Sequence, residues 1–312
     1  MPTFLDPPRE VLPTARPFTL AEARSVGVSS SALTRLVQAG VLRRIVQGVY
    51  VDACVPDSLD LRCRALASVI PPGAVVADRT AAWLHGVSIL RAGEQLSVPS
   101  VRVVRVPDGS RLRRSSVDGG LRMLRPADVE VVTGVPVTTA LRTACDLGRL
   151  LRRDDAFAAL DALLRTGRFE HPELLAELDR FRGFRGIRQL RVLAPWADPR
   201  AESPPESVLR LRWLDEGLPT PETQIPFLDA SGRERFRGDL GVPELRLLVE
   251  YDGRDHHTTP EDRGADQRRR AIWRAHGWIV IVVTAEDLRD PRLGARLRAA
   301  VREAQERVAL AA

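Results

Sequence analysis

The sequence predicts a multidomain α+β chain. Its 312 residues are enough for two or three domains, and 44% hydrophobic residues can fill real cores. Apolar patterns of helical and of strand period alternate along it, punctuated by glycine and proline. A proline-rich stretch with Pro195, Pro199, Pro204 and Pro205 divides it about two thirds of the way along. The expected divisions are a leader (1–16), a small helical domain with a hairpin (17–55), an α/β middle domain (56–195), a linker (196–205) and a C-terminal domain (206–312).

The net charge is +6, and every basic side chain apart from the five histidines is arginine, because the sequence contains no lysine. A basic balance favours a polyanionic partner, and the guanidinium fork suits phosphates and guanine edges. No apolar run approaches the roughly eighteen residues of a membrane span. The first residues lack the basic start and apolar run of a secretion signal, and three cysteines show no zinc-like spacing. The expectation is a cytoplasmic protein with no membrane partner, no organic cofactor and no disulfide.

In "PFTLAEARSVGVSSSALTRLVQAGVLRRIVQGVYVDA", residues 17–53, Thr19 and Glu22 form a capping box for a short helix that Gly27 ends. Ser29 or Ser30 caps a second helix whose Leu33, Leu36 and Val37 face inward, and Gly40 stops it. Two short strands then turn at Gln47–Gly48. Helix, turn, helix and basic hairpin together make a winged helix-turn-helix pattern. Its second helix would enter the major groove, and Arg43 and Arg44 on the wing would touch phosphates. A purely structural helical hairpin is the plainer alternative.

The middle region reads as helices at "LDLRCRALASVI" and "DRTAAWLHGV", strands at 94–106 and 129–137, and one or two long helices from "TTALRTACDLGR" onward. His85 reads as a packed helix-end residue. Seven arginines against two aspartates between Val101 and Arg125 make either a solvated face or a DNA-contacting surface.

Past the prolines, with Ser203 as N-cap, the order is helix (206–216), strands (222–228, 236–242, 247–252), helix (262–276), strand (278–283) and helix (285–306). In "FRGDLGVPELRLLVEYDGRDHH" a hairpin centred between Glu244 and Leu245 sets Asp239 directly opposite Glu250, with Asp252 on the same face. Like charges across a sheet repel and are costly to bury, so a cation is expected between them. Mg²⁺ or Mn²⁺ held by Asp239 and Glu250 would polarise a phosphate and activate water. His256 and His257 can move protons near neutral pH, and Glu206 could reach the same place. Alternatively, Asp252–Gly253 is a strand-ending turn and Glu250 pairs with Arg237 or Arg269.

"PPESVLR", "GDLGVPELRLLVEYDGRDHH" and "DQRRRAIWRAHGWIVIVVTAEDL" resemble the Vsr-like branch of the PD-(D/E)XK nucleases over roughly residues 200–300. The resemblance implies a restriction-endonuclease-like mixed sheet flanked by helices. It also implies Asp239 and Glu250 as metal-binding acids, Glu206 as the helix carboxylate, His257 after the strand, and Asp266 and Arg269 on the following helix, the arginine holding phosphate. Asp252 stands where the superfamily has its lysine, and Val282 where relatives often have arginine. The N-terminal part resembles the AbiEi-like antitoxin winged-helix family, through residues 17–53, "VVADRTAAWLHGV" and "GVPVTTALRTACDLGR". That resemblance implies a DNA-binding regulator. Two readings follow: a metal-dependent endonuclease hydrolysing phosphodiester bonds of double-stranded DNA, or an antitoxin-like regulator whose nuclease fold is inactive. RNA as substrate, a toxin partner and a homodimer remain open beside them.

Overall fold

A computed structural model describes residues 11–13, 15–88, 101–105, 117–253 and 260–311, with side chains left aside at 260–263 and 311. The chain divides into two compact units, one ending at Leu147 and the other beginning at Gly148.

The first unit opens with β1 (Phe18–Thr19), α1 (Leu20–Ser25), α2 (Ser30–Gln38), β2 (Leu42–Val46) and β3 (Val49–Asp52). Thr19 caps α1 with the expected reciprocal bond from Glu22, and Ser29 caps α2. Gly27 and Gly40 hold φ of 83° and 70° after the two helices, a conformation that costs glycine little. The strands order β1-β3-β2, and Phe18, Leu33, Leu36, Leu42 and Tyr50 pack into one core. This is the helix-turn-helix with a strand hairpin that the pattern predicts.

Then follow α3 (Leu59–Ala67), β4 (Val75–Val76), α4 (Asp78–Leu84), β5 (Val101–Arg105), β6 (Val117–Leu121), β7 (Val129–Val132), β8 (Val135–Thr138) and α5 (Ala140–Leu150). Their five-stranded mixed sheet has the order β6-β5-β4-β8-β7. His85 caps the end of α4, buried, with Nε2 2.8 Å from the Thr138 carbonyl oxygen, as a packed helix-end histidine should be. The arginine-rich stretch is less available than its composition implies. Arg122 joins Asp78 and Asp146, Arg102 joins Asp78 and Asp118, and Arg105 donates to the Pro72 carbonyl. Arg111, Arg113 and Arg114 lie outside the described residues.

The second unit contains α6 (Arg153–Leu164), α7 (His171–Glu177), α8 (Ile187–Leu193), α9 (Pro204–Asp215), β9 (Glu222–Leu228), β10 (Glu234–Val242), β11 (Leu247–Asp252), α10 (Pro260–Ala275), β12 (Ile279–Thr284) and α11 (Leu293–Ala311). The proline-rich stretch does not separate compact bodies. Helices α6 and α9, on either side of it, are joined by buried Asp161 and Arg210, with Arg210 Nη2 2.6 and 2.8 Å from the two carboxylate oxygens. Ser203 caps α9, with two prolines in its first turn, as expected. The last helix starts later than the sequence pattern implies. Asp287 accepts from Thr284 in a short 3₁₀ turn, and Asp290 accepts from the Arg292 N–H just before α11.

The sheet of this unit runs β12-β11-β10-β9, with β11 and β12 parallel and joined through α10. Leu247 and Val249 pack with α9 and α11 around Trp213 and Leu297. Leu248 faces the other way, into a core with Trp273 of α10, Ile225 and Val280. The alternation that buries both faces of β11 also sends Glu250 to the α10 side.

Candidate functional site

Among the described residues, two places gather groups able to act on a ligand. The first is α2. Its inward face is Ala32, Leu33 and Leu36, which leaves Ser30, Ser31, Thr34, Arg35 and Gln38 exposed along the opposite side. Hydroxyl, guanidinium and amide groups at this spacing are those that read base edges in a major groove. The wing differs from expectation. Arg43 and Arg44 are half-buried: Arg43 Nη2 donates to the Val55 carbonyl at 3.0 Å, and Arg44 lies over the Tyr50 ring at 5.3 Å and donates to its hydroxyl. Arg44 binds its own hairpin and Arg43 the loop just beyond it, whereas Arg35 and Gln38 of α2 are exposed. The signal that could have found Arg35 and Gln38 was the polar stripe opposite Leu33 and Leu36.

The second is the acidic strand region. The β10–β11 register is the expected one at Val242↔Leu247, Gly241↔Leu248 and Leu240↔Val249. The recorded pairing stops there, one residue short of an Asp239–Glu250 pair. Instead Asp239 Oδ2 accepts the Tyr251 N–H at 2.7 Å. On its other side β10 pairs with β9 at Leu240↔Thr223 and Gly238↔Ile225. Gln224 therefore stands across from Asp239, and its φ is 57°, a strained value for a residue with a side chain. Next to Asp239, Gly238 is required by packing, since a Cβ there would come within 2.3 Å of Leu248.

Gln224 Nε2 donates to Glu206 Oε2 at 3.0 Å, and the same carboxylate accepts from the Ser203 hydroxyl and the Glu202 N–H. Gln224 was not singled out from the sequence; inside a strand pattern, a lone glutamine gives no warning. Burial, then the nearby Glu206 charge, then Glu250, push the Asp239 carboxyl up to about 7, against the Tyr251 N–H and Arg269, which pull it down. The charges of Glu206 and Glu250 thus both act on Asp239.

The partner of Glu250 is neither Arg237 nor Arg269. Arg270 of α10 donates through Nε to Glu250 Oε2 at 2.8 Å and through Nη1 to Asp252 Oδ2 at 3.2 Å. Arg269 is exposed and paired with Asp266 at 2.6 Å, while Arg237 joins Glu234. Among the described residues, no group of three or more His, Cys, Asp and Glu side chains has an arrangement able to hold a metal ion. His256 and His257 lie outside the described residues. No helix of the described residues is long and apolar enough to cross a membrane.

Residues 13–51 match a family described as transcriptional regulator, AbiEi antitoxin, and residues 74–195 match the AbiEi antitoxin C-terminal domain. Two proteins of Mycobacterium tuberculosis, from strains CDC 1551 and H37Rv and each described as uncharacterized, are 36% identical over 263 residues. The alignment covers 84% of this chain and 93% of theirs, so it runs well past residue 195. The acidic sheet unit is therefore at least partly shared with them.

Proposed function

Because the chain belongs to the AbiEi-type antitoxin family over its N-terminal and middle regions, we propose that it is a transcriptional regulator that reads duplex DNA through α2. The observation that carries the reading is the exposed row Ser31, Thr34, Arg35 and Gln38 on a helix whose other face is locked into the winged core. Arg35 is the residue for a guanine edge or a phosphate, and Gln38 for an adenine edge. A toxin partner or a second copy of the chain belongs to the same proposal.

The test is selection of bound duplexes from a randomised pool by the purified chain. The expected result is one enriched sequence with salt-sensitive affinity, lost in Arg35→Ala/Gln38→Ala. Each good base contact contributes roughly 1–3 kcal/mol, so the double variant should bind the enriched site at least tenfold more weakly. Equal enrichment by both proteins would remove α2 from the account.

A second reading, hydrolysis of DNA phosphodiester bonds with Mg²⁺ or Mn²⁺ by the C-terminal unit, is favoured by one observation. Asp239 lies close enough to Glu206 and Glu250 for their charges to push its carboxyl up, and its Oδ2 accepts the Tyr251 N–H of the acidic strand. Incubating the selected duplex with either ion, against EDTA and Asp239→Asn controls, separates the two. Metal-dependent nicking that the variant loses would make this an endonuclease; an intact duplex leaves the regulator.

A further inference from the structure

Glu250 and Asp252 lie two residues apart on β11, roughly 7 Å along the strand, with side chains on one face. One guanidinium bridges them. With Nε on Glu250 and Nη1 on Asp252, Arg270 spans the pair from α10, and the three side chains are only 11%, 8% and 10% exposed in the order Arg270, Glu250, Asp252. A divalent ion at this strand would compete with Arg270 for those same two carboxylates. Among the described residues, its other candidate ligands accept hydrogen bonds too: Asp239 Oδ2 from the Tyr251 N–H, and Glu206 from Ser203, the Glu202 N–H and Gln224. Among the described residues, the donor set does not fit a resident metal.

We propose that Arg270 is the built-in cation of this acidic strand, and that Mg²⁺ or Mn²⁺ binds Glu250 and Asp252 only when Arg270 is removed. The physical reason is a competition between two cations for one pair of carboxylates. A guanidinium is weakly hydrated, and its fork matches two acids spaced along a strand. It is also tethered to the same chain, so it acts at high effective concentration. Mg²⁺ holds its water tightly and demands near-octahedral oxygens, which two acids already fixed by an arginine do not offer. The expected result is a sheet unit that folds and stays folded without divalent ions. That sets the proposal against the cleavage reading and leaves the regulatory one untouched.

The test is Mn²⁺ binding followed by electron paramagnetic resonance on the full chain, with thermal unfolding in EDTA and in Mn²⁺ alongside. For the wild type the expected results are no saturable Mn²⁺ site that depends on Glu250 and no change of Tm between the two conditions. Arg270→Met should lose several degrees of Tm in EDTA, recover part of that in Mn²⁺, and bind Mn²⁺ in a manner abolished by a further Glu250→Gln. If Arg270→Met does not fold in EDTA, the triple variant with Glu250→Gln and Asp252→Asn should fold, because the unpaired charges are gone. Saturable Mn²⁺ binding by the wild type that Glu250→Gln removes overturns the proposal. So does a folded Arg270→Met that takes up no more Mn²⁺ than the wild type, or a triple variant that fails to fold.

Discussion

Two aspartates of the second unit, Asp161 buried and Asp239 half-buried, have opposite surroundings. Asp161, on α6, faces Arg210 from α9, takes the Asp198 N–H at 2.9 Å and has the Ser207 hydroxyl beside it. Asp239, on β10, has one backbone N–H, a more distant Arg269, and two further carboxylates around it. Burial pushes both carboxyls up, but at Asp161 the guanidinium and its companions pull back, whereas at Asp239 Glu206 and Glu250 push further. Matched charge is how a fold fastens two helices together. Charge left concentrated beside a neutralised pair marks the place where the fold departs from its own rule.

The largest effect that could break this comparison is at the helix seam. Arg210→Met leaves Asp161 buried with no guanidinium and removes the stacking of Arg210 over Phe157 at 4.5 Å. Taking one member from a buried pair costs roughly 3–5 kcal/mol. Urea unfolding followed by tryptophan fluorescence should show a midpoint lowered accordingly. Restoration in Asp161→Asn/Arg210→Met would show that the cost lies in the orphaned charge. A midpoint within error of the wild type would mean that the seam holds by apolar packing alone.

At the strand the sign reverses. The folded state holds the Asp239 proton more tightly than the unfolded chain does, so its contribution to stability is full below about pH 4, the unfolded value, and is lost as pH rises through about 7. From 3.8 to about 7, at roughly 1.4 kcal/mol per unit, that loss is at most about 4 kcal/mol. Asp239→Asn keeps an acceptor for the Tyr251 N–H and removes the charge. It should raise stability at pH 8 by up to that amount and flatten the decline between pH 4 and 7. A variant less stable than the wild type at pH 8 would show that the carboxylate is held by an unrecognised cation.

Much of this was legible in the sequence because local rules set it. The Thr19 capping box, the Ser29 and Ser203 caps, the Gln47–Gly48 turn and the β10–β11 register follow from short-range chemistry and from alternation. Glu206, Asp239 and Glu250 could be grouped because one hairpin and one capped helix bring them together. What stayed hidden depends on tertiary contacts between elements. Arg268, Arg269 and Arg270 are consecutive on α10, and only the crossing of that helix over β11 decides that Arg270 turns inward while Arg268 and Arg269 stay exposed. Likewise the half-burial of Arg43 and Arg44 follows from Tyr50 and Val55, which come from the next strand and the loop beyond it. The proline run read as a boundary because composition cannot report that Arg210 reaches back across it to Asp161.

The smallest effect tests whether the seam depends on charge count or on burial. Arg212 pairs with Asp154 between the same two helices, with contacts of 2.9 and 2.5 Å, as short as those between Arg210 and Asp161. Its setting differs, since the two side chains are 30% and 41% exposed. Water and salt already screen such a pair, which contributes roughly 0–1 kcal/mol. Arg212→Gln should therefore lower the urea midpoint by a fraction of the Arg210→Met effect, and the small loss should vanish in high salt. If Arg212→Gln were as damaging as Arg210→Met, the number of bridges across α6 and α9 would matter more than their burial. The contrast between Asp161 and Asp239 would then need another explanation than the solvation of charge.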